Sequence, residues 1–81
     1  MYLKYLVDEN GHFLLFDPNI NHNIAAKCLG KIVGAGMAMI IKDKNNNPVI
    51  KCNGESTTLG IASRKNVDEF IINTYLEKAT F

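Results

Sequence analysis

Ser63-Arg64-Lys65-Asn66 is the most chemically suggestive run in this sequence. It precedes a segment with helical spacing, so two cations and two small hydrogen-bonding side chains would stand beside the free N–H groups of a helix start, which suits a phosphate or carboxylate. Ser56 and Lys51 would extend this candidate anion site, because a hairpin turning at Asn53-Gly54 sets Lys51 opposite Ser56. The simpler account is favoured: Ser63 or Asn66 caps the helix, and Arg64 and Lys65 are solvated or offset Asp68 and Glu69.

Other chemistry is less well supported. His12, His22, Cys28 and Cys52 lack Cys-x-x-Cys or His-x-x-x-His spacing, so no metal site is expected. The two cysteines read as small buried residues and the two histidines as exposed groups near turns. A nucleophilic cysteine would need a histidine beside it, and nothing in the sequence enforces that. Gly30-x-x-x-Gly34-x-Gly36 lacks both the Gly-Lys-Ser/Thr ending of a phosphate loop and the Gly-x-Gly-x-x-Gly of a dinucleotide turn, so no nucleotide cofactor is expected.

Composition narrows the function classes further. The 81 residues are 47% hydrophobic and 21% charged with a net charge of +1, which describes one folded domain over residues 1–81. A chain this short buries only roughly 60% of the surface it exposes when unfolded, so association with a partner is a standing option. The longest run without a polar side chain, Ile32 to Ile41, is about half the length needed to cross a bilayer. Asp8 and Glu9 interrupt the apolar start, so no export signal is read, and two cysteines fit reduced thiols in the cytoplasm. Cations gather between residues 21 and 65, yet a single Arg and no aromatics interleaved among them argue against nucleic acid.

Positioning these residues requires an α+β domain. Asn10-Gly11 and Asn53-Gly54 sit between runs of β-formers and predict two hairpins with two-residue turns. Counting outward pairs Glu9 with His12, Val7 with Leu14, Tyr5 with Phe16 and Lys4 with Asp17, then Cys52 with Glu55 and Ile50 with Thr57. Lys31 to Asp43 reads as a strand apolar on both faces, hence central, and is preferred over a helix through Gly30 and Gly34. Asn45-Asn46-Asn47-Pro48 supplies a turn after it. A short helix spans about Asn23 to Leu29. A longer C-terminal one follows the capping box Asn66-x-x-Glu69, with Val67, Phe70, Ile71, Tyr75 and Leu76 on its apolar stripe.

The predicted order is β-β-α-β-β-β-α, with about five strands in a mostly antiparallel sheet. Two helices cover one face of such a sheet and little more. Tyr2, Leu6, Phe13 and Leu15 are then left on the far face, more apolar surface than a monomer comfortably exposes. The expectation is a non-enzymatic interaction module that forms a homodimer through its sheet or meets another protein partner, with anion binding as the alternative.

Overall fold

The computed structural model describes residues 2–78. Its elements are β1 (Tyr2–Asp8), β2 (Phe13–Phe16), α1 (His22–Ala25) continuing into a 3-10 turn (Ala26–Cys28), β3 (Ile32–Lys42), β4 (Pro48–Asn53), β5 (Glu55–Ser56), β6 (Ile61–Ala62) and α2 (Lys65–Lys78). The class is α+β, as expected. Four antiparallel strands in the order β2-β1-β3-β4 form the main sheet, and β5-β6 make a separate ribbon.

Both hairpins of the main sheet close with the same device. Asp8 N–H donates to the His12 carbonyl and Gly11 N–H to the Asp8 carbonyl; Asp43 and Asn47, then Asn46 and Asp43, repeat these bonds. Each aspartate's Oδ1 also accepts two N–H groups further round the turn, those of Asn10 and His12 or of Asn45 and Asn47. The third loop residue takes positive φ, Gly11 at 81° and Asn46 at 67°, as a three-residue loop demands.

That extra loop residue corrects the predicted register of the first hairpin by one position. Tyr5 faces Leu15 and Val7 faces Phe13, in place of Phe16 and Leu14. Because side chains alternate, Tyr5, Val7, Phe13 and Leu15 now share one face, and Leu6, Leu14 and Phe16 the other.

The second predicted hairpin is not formed. β4 pairs with β3, Cys52 facing Ala38 and Lys51 facing Met39, whereas Ser56 pairs with Ile61 and Glu55 with Ala62. Asn53-Gly54 therefore marks the departure of the chain from the main sheet into the ribbon. Lys51 and Ser56 are not cross-strand partners.

Both sheet faces receive cover, unequally. α2 lies on the face of Tyr5, Val7, Ala38, Ile50 and Cys52, where Ile72 is fully buried and Ile71 and Leu76 pack at the margin. The opposite face carries Leu6 and Ala35 under Ala25, Ala26, Leu29, Leu59 and Ile61. That second cover follows from topology: β2 and β3 run in the same direction on either side of β1, so the chain joining them must cross a face.

The capping box predicted at Asn66 is replaced, since Asn66 falls inside the first turn of α2. Asp68 N–H donates to the Arg64 carbonyl at 2.8 Å and the Asp68 carboxylate accepts the Arg64 N–H at 2.9 Å, a reciprocal pair one turn apart. α2 is also rotated from the predicted stripe. Val67, Phe70 and Tyr75 are exposed, while Asp68 and Ile72 point inward.

Candidate functional site

Asp68 organises the region containing Ser63 and Arg64. It is 0% exposed, and room for it exists because residue 34 is glycine: a Cβ there would run into the Asp68 carboxylate. Oδ2 accepts the Tyr5 hydroxyl at 2.7 Å as well as the Arg64 N–H. Oδ1 accepts Arg64 Nη2 at 2.8 Å and Nε at 3.1 Å. With the phenol proton directed at Asp68, the Ser63 hydroxyl, 2.6 Å from the Tyr5 oxygen, is left to donate to it. Burial, reinforced by the Asp68 charge, holds the Tyr5 proton on well above the ordinary tyrosine range, against the lowering effect of Ser63.

This network closes on itself. The carboxylate's lone pairs are met by a phenol, a main-chain N–H and a guanidinium, so Arg64 already holds its anion. Of the other candidate anion ligands, Lys65 and Asn66 are exposed on the first turn of α2. Ser56 is 1% exposed, and its Oγ accepts the Leu59 N–H at 3.3 Å. Lys51 Nζ stands 3.9 Å from Glu69 Oε1. Ser63 and Arg64 are thus brought together, but around an internal carboxylate, and Lys51 and Ser56 are engaged elsewhere.

The cysteines and histidines each divide. Cys52 is buried, as expected, but Cys28 is exposed, because the short 3-10 turn that carries it buries none of its residues. Burial, then the carboxylates of Glu69 and Asp68, push the Cys52 thiol up to about 12, with Tyr5 pulling slightly the other way. A thiol so placed stays protonated and is no nucleophile. His12 is exposed, as expected, but His22 is 6% exposed, correcting the reading of two surface imidazoles. Its ring packs edge-on against Phe16 with centroids 5.4 Å apart, and Nε2 lies 3.1 Å from the Gly36 carbonyl oxygen, placed to donate to it. Among the described residues no three His, Cys, Asp or Glu side chains are grouped to hold a metal ion.

One exposed apolar feature belongs to the sheet itself. α1, the 3-10 turn and the ribbon cover the Leu6–Ala35 end of their face but stop short of its other end. There Met37, Met39 and Ile41 alternate along β3 on the side shared with Tyr2, which lies on β1 directly opposite Met39. Tyr2 is 56% exposed, Met39 40% and Ile41 37%. Tyr2, Met37 and Met39, with Asn53, line a shallow depression of about 260 Å³.

The four residues predicted for an interface do not form one surface. Tyr2 belongs to this open end, Leu6 is completely buried beneath the crossover, and Phe13 and Leu15 pack on the α2 side. The one-residue change of register separates them. Met37, Met39 and Ile41 fall on one face of the strand read over Lys31 to Asp43, but their exposure depends on where the crossover stops, which periodicity does not encode.

No helix among the described residues is long and apolar enough to cross a membrane. The chain matches no family model, no curated protein and no solved structure.

Proposed function

We propose that this chain is a small non-enzymatic interaction module that pairs with a second copy of itself through the open end of its sheet. The observation that carries the reading is the contiguous exposure of Tyr2, Met39 and Ile41 on β1 and β3, the two central strands, whose apolar residues are ordinarily covered. Two such ends stacked about a two-fold axis would bury each other about 10 Å apart, and unbranched methionines adapt to a facing surface better than β-branched residues. Two unpaired cysteines, one of them exposed, fit a reducing cytoplasmic setting for the module.

Sedimentation equilibrium tests the proposal. A dimer is expected at several hundred micromolar that dissociates toward low micromolar concentration, and Met39→Glu, which sets a charge in the middle of the patch, is expected to stay monomeric with the thermal midpoint of the diluted wild type. A wild-type chain that stays monomeric at several hundred micromolar would remove the reading.

A further inference from the structure

We propose that residues 17–31, the crossover between β2 and β3, form an acid-released strap over the sheet, fastened at one end by His22 and at the other by Asp8. The proposal is independent of the docking surface and concerns the opposite end of the same face.

The strap has little regular structure of its own. α1 is four residues long, Asn21 at its start makes no side-chain cap bond, and the next three residues form a single 3-10 turn. Its attachment to the sheet therefore rests on a few anchors. Near the beginning, Lys4 Nζ donates to the Ile20 carbonyl at 2.8 Å, an exposed bond. His22 follows, buried between the Phe16 ring on β2 and the Gly36 carbonyl on β3. Near the end, Gly30 N–H donates to Asp8 Oδ2 at 3.0 Å and Glu9 N–H to the Lys31 carbonyl at 2.8 Å. Between the two fastenings the strap lays Ala25, Ala26 and Leu29 over Leu6 and Ala35.

The groups facing His22 make protonation costly in the closed state. From β1 comes the Lys4 ammonium; β2 offers an aromatic ring and β3 a carbonyl, and among the described residues no carboxylate lies within ion-pair distance. Burial is the largest influence and lowers the imidazole below its ordinary range, Lys4 lowers it further, and the Gly36 carbonyl only partly offsets them. A histidine with a lowered value in the closed state binds its proton more readily once released. Closure is then fully favoured above about pH 6.5 and weakens as acid rises, by at most about tenfold per pH unit for one linked proton.

Asp8 acts in the same sense but at lower pH. Burial would raise its carboxyl, yet the N–H groups of Gly30, His12 and Asn10 outweigh this and hold it below the ordinary carboxylate range, with help from the His12 ring 3.6 Å away. Its hold on Gly30 persists through the interval in which His22 gains a proton. His12 is exposed beside Asp8, and its ring favours the Asp8 carboxylate and so the closed strap.

Amide hydrogen exchange of the intact protein between about pH 7.5 and 5, read as protection factors by NMR, tests this. Protection at residues 22–31 is expected to fall by up to about tenfold per unit below pH 6.5 while the central amides of β1 and β3 hold theirs. His22→Gln, which can still donate to the Gly36 carbonyl but cannot titrate, is expected to flatten the profile. Constant protection in the wild type, or an unchanged slope in the variant, would overturn the proposal. Should the variant fail to fold, the His22 ring signals of the wild type decide: titration coincident with strap opening supports it, and titration with the strap still protected overturns it.

Discussion

The two faces of the sheet are covered in opposite ways. One lies under a single fourteen-residue helix that is clasped to the strands by polar groups. Tyr5 and Arg64 hold Asp68, and Glu69 and Asn73, one turn apart, reach past the sheet to its edge: Cys52 N–H donates to Glu69 Oε2 at 2.8 Å, and Asn73 exchanges two bonds with the Ile50 main chain at 2.9 and 3.0 Å. β4 is the outer strand on that side, so α2 supplies the pairing a fifth strand would give. The other face is covered piecemeal by four- and three-residue helical turns and a two-stranded ribbon, and one end is left bare. The helix-covered face keeps a marginal depression of about 310 Å³ where Phe13 meets Tyr75, and the patched face leaves both a bare surface and a short crossover.

Substitutions should sharpen this contrast, beginning on the closed face. Gly34→Ala forces a methyl group against the Asp68 carboxylate, and either α2 shifts or the clasp breaks; a loss of more than about 3 kcal/mol in urea unfolding is expected. Asp68→Ala should cost about 3 kcal/mol, because Arg64 and Tyr5 lose a buried partner at once. Asn73→Ala removes two bonds to the β4 edge, where water can partly replace them, and should cost about 1 kcal/mol. On the patched face, Ile24→Ser on α1, 58% exposed, should change stability by less than about 0.5 kcal/mol. Equal losses on both faces would erase the distinction.

Local signals made much of the fold legible. β3 is continuous from Ile32 to Lys42, the short helix stops ahead of Gly30, and α2 occupies the predicted segment. Register was not legible, because Asn10-Gly11 alone suggests a two-residue turn, whereas Asp8, two positions earlier, binds two N–H groups and selects the longer loop. Asn53-Gly54 misled for a different reason: β4 had its partner in β3, set by the Asp43 turn, before the chain reached that pair. The polar core was hidden by sequence distance. Tyr5 and Asp68 lie 63 residues apart, and nothing near Asp68 distinguishes a buried carboxylate from one placed to meet the helix dipole. The rotation of α2 follows from the same cause, since Asp68, Glu69 and Asn73 all turn toward the strands and carry Val67, Phe70 and Tyr75 outward.

The bare end of the patched face is proposed to receive a second copy of the chain. Methyl NMR of protein labelled at its three methionines reads this most directly, because Met37 and Met39 lie in the patch. On dilution from millimolar to low micromolar concentration, the Met37 and Met39 signals should shift together along one binding curve while the Phe70 and Tyr75 ring signals on α2 stay fixed. Concentration-independent methionine signals, or shifts confined to the α2 aromatics, would contradict it.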